Sequence, residues 1–115
     1  MLHKNLEVWK RSINLVLVIY TETKTYPFEE KFSLSQQMRR AAVSIPSIIA
    51  EGSARKSTNE LKQFLFISLG SLAELETQVL IAARLGYSGS QSEKIQEELT
   101  QIRKMLQAII NKLSH

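Results

Sequence analysis

Glutamates and a few cations are the side chains of this sequence that could take part in acid–base chemistry. Glu74 and Glu76 lie in a largely apolar stretch. Two residues apart on a helix, they point about 200° apart and cannot share one site. A buried carboxylate needs a cationic partner, and we expect Arg39 or Arg40 to supply it. Because one carboxylate without a nucleophile, a metal or a second acid achieves little catalysis, the expected role is structural.

The residue types on which most active sites depend are scarce. The sequence has no cysteine and no aspartate, and its two histidines, His3 and His115, lie at its ends. Glu-x-x-His metal ligands, Ser-His or Cys-His nucleophiles and the Gly-x-x-x-x-Gly-Lys phosphate loop are absent from the sequence. We therefore predict a protein that is not an enzyme, with no catalytic residue, no metal site and no cofactor.

The net charge of +4 is concentrated in one segment. Between residues 31 and 62 the chain carries six basic and two acidic side chains, whereas the remainder carries nine of each. Such a segment favours an anionic partner such as RNA or DNA, although a solvated helix face with internal ion pairs is the alternative. The candidate nucleic-acid contacts are Lys10, Arg11, Arg39, Arg40, Arg55, Lys56 and Lys62.

Arg55 and Lys56 precede the start of a predicted helix, where free amides and two cations would suit a phosphate. Trp9 and the phenylalanines follow core spacing, so we expect no row of exposed aromatic residues for base stacking. Binding would then depend on the nucleic-acid backbone and shape, and it would weaken steeply with salt.

Four helices joined by short turns are predicted over residues 1–115, taken as one domain. They are expected at about residues 6–24, 33–52, 57–86 and from residue 90 onward. Short connections between successive helices indicate an antiparallel up-down-up-down four-helix bundle, an all-α fold.

Capping boxes and glycines mark the predicted helix ends. The pattern Ser-x-x-Gln/Glu occurs at residues 33–36, 57–60 and 90–93. Gly52 and Gly86 are expected to end the second and third helices in the left-handed conformation.

The second helix contains a proline and is predicted to be kinked there. Pro46 removes one backbone donor and clashes with the carbonyl four residues back, that of Ala42. Gly70 of the third helix is expected to allow close contact with Ala41 or Ala42.

Apolar residues at helical spacing predict the inner faces. Those of the first helix are Leu6, Trp9, Ile13, Val16 and Tyr20. Those of the third are Leu61, Leu65, Ser68, Leu72, Leu75, Val79 and Ala82. We expect Phe28 and Phe32 to insert into the core from the first connection.

The first and third helices carry more apolar surface than one bundle core can cover. The surplus on the third consists of Phe64, Phe66, Ile67, Leu69, Leu80 and Ile81. An exposed apolar patch of this kind marks an interface, so we predict self-association. The alternative is a thick core that covers these residues within one chain.

The sequence shows neither a secretory signal nor a membrane span. Its longest purely apolar run, residues 15–20, is far shorter than the roughly 20 residues that cross a bilayer. We therefore expect a cytoplasmic protein that does not contact a membrane.

Several segments together resemble the bacterial 23S ribosomal RNA intervening-sequence family. They are Leu6–Lys10, Gln37–Ser47, Ile49–Gly52 and Gly70–Thr77, which include the motif residues Pro46, Glu51, Gly52, Gly70, Glu74 and Glu76. The family usually has asparagine after Ser-Ile-Pro-Ser, where this chain has Ile48. A polar contact made at that position in the family is therefore not expected here.

The resemblance implies a four-helix bundle that assembles into a homopentameric ring. Members are often encoded within insertions in ribosomal RNA genes. A similar fold serves as the accessory protein of diversity-generating retroelements, where a basic barrel contacts nucleic acid and reverse transcriptase. The function expected is thus nucleic-acid binding by an oligomer, and the alternative is a scaffold or adaptor whose partner is a protein.

Overall fold

Helices account for nearly all of the regular structure. The computed structural model describes residues 2–87 and 89–115, and within them it contains no strand. The four α-helices are α1 (Glu7–Thr23), α2 (Leu34–Ser53), α3 (Thr58–Arg84) and α4 (Ser92–Leu113). The all-helical prediction is therefore confirmed.

The four helices surround one core in cyclic order. α1 packs against α2 and α4, and α3 packs against the same two helices, so α1 and α3 occupy opposite corners. The largest fully buried side chains come from all four: Leu15, Ile19, Met38, Ile45, Ile49, Leu65, Leu72, Leu75, Ile95, Leu99, Ile102 and Leu106. Burial of this common apolar surface is what holds the helices together.

The predicted inner face of α1 is confirmed only in part: Leu6, Trp9 and Val16 are partly buried and pack against the core. Leu15, Val18 and Ile19 are buried, whereas Ile13 and Tyr20 are exposed. The buried stripe of α1 also includes Ser12, Glu22 and Thr23, whose polar side chains disguise it in the sequence. Since α1 is apolar on two sides, periodicity alone could not identify the side facing the core.

The predicted inner face of α3 is confirmed, because all seven of its residues are buried. Four of the six surplus apolar residues are uncovered within the chain: Phe66, Ile67, Leu80 and Ile81 are exposed, whereas Phe64 and Leu69 are half-buried. By length and composition α3 could also span a membrane, a property shared with the core helices of soluble proteins.

The two glycine predictions that concern α2 are wrong. α2 continues past Gly52 to Ser53, and Gly52 has no positive φ. A Cβ at Gly52 would lie 2.6 Å from the Cβ of Phe64, so this glycine permits close approach of α2 and α3. Gly70 is exposed, and a Cβ there would meet nothing within 4 Å, so it makes no close contact with Ala41 or Ala42.

The predicted ends of α3 are confirmed. The amide of Glu60 donates to Oγ of Ser57 at 3.1 Å. At the other end Gly86 has φ +86°, and the amide of Tyr87 bonds the carbonyl of Ala82 at 2.9 Å. This is the left-handed glycine and the six-to-one bond of a Schellman motif.

The other two capping boxes are wrong. Ser33 directs its hydroxyl to Glu30 at 2.7 Å and makes no side-chain cap of α2. At the start of α4, the carboxylate of Glu22 accepts the amides of Gly89 at 2.9 Å and Gln91 at 3.3 Å. The cap of α4 thus comes from α1, which a local pattern cannot reveal.

The prediction that Phe28 and Phe32 enter the core is also wrong, since they are 82% and 77% exposed. The core side of their connection is occupied by Tyr26, which is buried with its ring 5.4 Å from that of Tyr87. The two phenylalanines therefore project outward on either side of Lys31.

Candidate nucleic-acid interface

The seven candidate cations lie in three places. Lys10 and Arg11 are near the start of α1, Arg39 and Arg40 are in the first half of α2, and Arg55, Lys56 and Lys62 are at or after the turn from α2 to α3. Fifteen residues of mostly helical chain separate Arg40 from Arg55, about 22 Å at ~1.5 Å per residue. The structure therefore does not gather all seven into one site.

Arg11 serves mainly to join α1 to α4. Its Nε and Nη2 donate to the two carboxylate oxygens of Glu98 at 2.8 and 3.1 Å. This hydrogen bonding raises the pKa of Arg11. Lys10 lies 3.3 Å from the carboxylate of Glu7 on the exposed face. Both cations at the start of α1 are thus already paired with glutamates.

The expected pairing of Arg39 or Arg40 with Glu74 or Glu76 is wrong. Glu76 instead pairs with Arg103 of α4. Glu74 is exposed and accepts a hydrogen bond from Gln78 at 3.4 Å.

Arg39 is held against α1. Its Nε donates to Oγ1 of Thr23 at 2.8 Å, and its guanidinium carbon lies 4.5 Å from the ring centroid of Tyr20. These contacts orient the guanidinium while leaving it half-buried at the surface. Arg40, one residue on, is exposed.

An open groove lies beside these two arginines. It has a volume of about 570 Å³ and is lined by Tyr20, Lys31, Phe32, Gln36, Arg39, Arg40, Val43 and Ser44. Three of these eight residues are cationic, and two are aromatic. We call it the first groove.

A second groove of about 290 Å³ adjoins it and shares Lys31 and Arg39. Its other lining residues are Thr23, Lys24, Tyr26, Pro27, Phe28 and Ser35. Among the residues that the structure describes, no carboxylate lines either groove. Lys31 and Arg39 therefore form a cationic ridge between the two grooves, and each groove has an exposed phenylalanine at its edge.

Exposed aromatic residues are thus present, contrary to prediction. The ammonium of Lys31 lies 5.7 Å from the ring centroid of Phe28 and 5.4 Å from that of Phe32, both within cation–π distance. A signal was present in the sequence: Phe28, Lys31 and Phe32 follow a proline in a short segment with no helical apolar stripe.

Two glutamates lie close to the grooves but do not line them. Glu30 accepts hydrogen bonds from the hydroxyls of Ser33 at 2.7 Å and Tyr87 at 2.9 Å, and these bonds lower its pKa. Glu29 is exposed in the same 3-10 turn but does not line either groove. The four cations that line the grooves outnumber these two glutamates, so the net field at the grooves is positive.

The turn from α2 to α3 forms a second, smaller basic surface. Arg55 is exposed, with its guanidinium carbon 4.8 Å from the ring centroid of Phe64, and Lys56 is exposed beside it. Lys62 is half-buried one turn into α3. Arg55 and Lys56 are therefore accessible to a ligand, and phosphate binding at this turn stays a prediction.

The motif residues of α2 sit on different sides of the helix. Pro46 is buried, Ile48 is half-buried and Glu51 is exposed. No group of three or more histidine or carboxylate ligands lies within metal-binding reach among the described residues.

Comparison with known proteins identifies the family. A family model described as "23S rRNA-intervening sequence protein" matches residues 4–108. The chain belongs to this family. The resemblance predicted from the Ser-Ile-Pro-Ser and Glu-Gly segments is thereby confirmed. No curated protein matches the chain.

A solved structure shares the fold of this intervening-sequence protein. It is a Bacteroides thetaiotaomicron protein of the S23 ribosomal protein family, described as having unknown function. The two sequences are 29% identical, and the matched region covers 90% of this chain and 95% of the Bacteroides chain. The TM-score between the two structures is 0.82. The helical arrangement thus agrees with that of a crystal structure along nearly the whole chain.

Proposed function

We propose that this intervening-sequence protein is a non-enzymatic, cytoplasmic homo-oligomer that binds RNA or DNA through its basic surface. The observation that carries the proposal is the pair of adjoining grooves lined by Lys24, Lys31, Arg39 and Arg40. These four cations line the grooves, and no described carboxylate does. The resulting positive potential favours binding of a polyanion. Arg55 and Lys56 extend the positive surface to the other end of α2.

Self-association is supported by the uncovered face of α3. Phe66, Gly70, Ala73, Thr77 and Leu80 follow one stripe of the helix, and a second helix could approach closely at the glycine. Exposed apolar residues in such an arrangement indicate a surface that is covered in the assembled protein. A ring of five subunits is the assembly that the family resemblance implies.

We also infer that the four helices run up-down-up-down. The early residue Arg11 of α1 meets Glu98 within α4, whereas the late residue Glu22 meets Gln91 at its start. Such a reversal supports antiparallel packing of α1 and α4. A kink of α2 at Pro46 follows from the missing donor and the clash with the preceding turn.

Nucleic-acid binding is tested by a filter-binding titration with structured RNA at two salt concentrations. The double variant R40Q/K56Q removes two exposed cations of the basic surface. We expect it to weaken binding and to reduce the salt slope by about 0.7–0.9 for each phosphate that is no longer neutralised. The matched control K104Q/K112Q removes the same charge from α4 and should bind as the unmodified protein does. Absence of binding at low salt, or equal weakening in both variants, would contradict the proposal.

The second candidate function is a protein-binding scaffold or adaptor. The apolar face of α3 favours it, since Phe66, Ile67, Leu80 and Ile81 could pack against another protein. Recovery of a defined protein partner after nuclease treatment, together with no binding to RNA or DNA, would support the adaptor over the nucleic-acid binder.

A further inference from the structure

The connection between α1 and α2 combines exposed aromatic rings with cations. Phe28 and Phe32 project into solvent, although burying a phenylalanine ring normally stabilises a protein. The ammonium of Lys31 lies within cation–π distance of both rings, and the guanidinium of Arg39 lies over Tyr20. Alternation of flat apolar surfaces and positive charges is the chemistry that recognises flat bases linked by phosphates.

We propose that the two grooves hold a single-stranded segment of RNA or DNA. Phe28 and Phe32 stack on unpaired bases in the second and first groove, and Lys31 and Arg39 contact the phosphate that crosses the ridge between them. Arg40 and Lys24 contact the flanking phosphates. This inference rests on the proposed function and specifies its ligand.

Unpaired bases fit this surface better than a duplex does. In a duplex the faces of the bases are stacked on one another, and only their edges are accessible in the grooves. Protruding phenylalanine rings gain nothing from a base edge, whereas every unpaired base presents a face on which a ring can stack. The volume of the first groove, about 570 Å³, lies within the roughly 300–1,000 Å³ of pockets that hold small organic ligands.

A second copy of the chain is a poorer occupant of the grooves. Each copy carries a net charge of +4, with the excess located between residues 31 and 62. Placing the same basic segment of a second copy against Lys24, Lys31, Arg39 and Arg40 would be repulsive, so the grooves do not pair with themselves. The surface available for self-association is the nearly uncharged stripe of α3.

Fluorescence anisotropy with labelled oligonucleotides tests the inference. The probes are oligo(U), oligo(dU) of the same length and a blunt RNA duplex. We expect both single strands, or one of them, to bind more tightly than the duplex. Comparing the affinities of the RNA and DNA single strands shows whether the sugar affects binding. Equal or tighter duplex binding would overturn this inference and leave the proposed function standing. Failure of all three probes to bind would refute the proposed function itself.

Aromatic and cationic variants separate stacking from charge. F28A/F32A should weaken single-strand binding by roughly 5- to 150-fold for each stacked base, with an unchanged salt slope. K31Q should instead reduce the salt slope by about 0.7. F28Y/F32Y should retain binding because it keeps both rings, and K104Q on α4 should bind normally.

The mass of F28A/F32A provides the remaining check. Both side chains are exposed, so their removal should leave the fold and the assembly unchanged. Unchanged single-strand affinity of this variant would overturn the inference. Dissociation of the assembly, measured by light scattering, would also overturn it, because the rings would then belong to a subunit interface.

Discussion

Glu22 shows how one buried side chain fixes the relation between two helices. It is 3% exposed, and its two carboxylate oxygens accept the backbone amides of Gly89 and Gln91. Gln91 is the N-cap of α4, and Gly89 lies in the connection before it. The first backbone amides of a helix have no carbonyl partner within that helix. A charge-assisted cap supplied by another helix stabilises the start of α4 and also sets its position against α1.

Glu22→Gln should lower the free energy of unfolding by about 1–3 kcal/mol. The amide offers one oxygen acceptor, and its NH2 group would face a backbone N–H that it cannot accept from. Urea denaturation followed by circular dichroism measures the change. Glu29→Gln removes an exposed carboxylate from the next connection and should leave the midpoint unchanged. Equal midpoints for the two variants would show that Glu22 is not a cap.

Tyr26 makes stability sensitive to alkaline pH. Burial raises the pKa of Tyr26 from 10.0 to about 12, and the nearby charge of Glu22 acts in the same direction. The neutral phenol is the form that the fold accommodates, so its contribution is complete below pH 10. That contribution disappears as the pH rises from 10 to about 12.

The unmodified protein should therefore lose stability between pH 10 and 12 more steeply than Tyr26→Phe does. Thermal unfolding at a series of pH values measures this difference. Tyr87→Phe should lessen the alkaline loss in the same direction, because hydrogen bonding to Glu30 raises the pKa of Tyr87 as well. Parallel pH profiles for the unmodified protein and Tyr26→Phe would refute the assignment.

At the scale of the helices, two glycines have opposite roles. Gly52→Ala places a methyl group 2.6 Å from the Cβ of Phe64, and either α2 or α3 must shift. We expect a destabilisation of about 1–3 kcal/mol. Gly70→Ala meets nothing within 4 Å, and within a single chain it should gain about 0.5–1 kcal/mol of helix stability. Urea midpoints that move in the same direction for both substitutions, measured in the monomeric Leu80→Glu background, would contradict this difference.

Local patterns predicted some elements well because the deciding interactions are local. The start of α3 follows from Ser57 and Glu60, and its end follows from Gly86, all within one turn of the helix terminus. Its inner face was also predictable, since its seven residues recur at intervals of three and four along the helix from Leu61 to Ala82. The same rules failed at Ser90, where Glu22 from another helix replaces the local cap.

The candidate site could be predicted only in part. The basic segment identified Arg39 and Arg40, but it could not show that Arg11 is paired with Glu98 from α4. Phe28 and Phe32 were assigned to the core because phenylalanine is usually buried. Tyr26 and Tyr87 occupy that space instead, and this packing depends on residues far apart in the chain.

At the scale of the whole molecule, the two surfaces of interest are well separated. The grooves lie on α1, α2 and their connection, whereas the uncovered apolar stripe lies on α3 at the corner opposite α1. The proposed assembly surface and the proposed nucleic-acid surface can therefore be changed independently by substitution. A ring formed through α3 would also place several basic grooves on one particle, and repeated sites would raise the overall affinity for a long strand.

Leu80→Glu provides the test of assembly through α3. The side chain is exposed within one chain, so a glutamate there should leave the monomer folded. In an oligomer it would bury an unpaired charge, which costs several kcal/mol at each interface. Light scattering should show the unmodified protein as a multiple of 13.1 kDa and Leu80→Glu at or near that mass. Thr100→Glu on the exposed face of α4 is the control and should keep the larger mass. A folded 13.1 kDa particle for the unmodified protein at high dilution would exclude a stable oligomer, and an unchanged mass for Leu80→Glu would place the interface elsewhere.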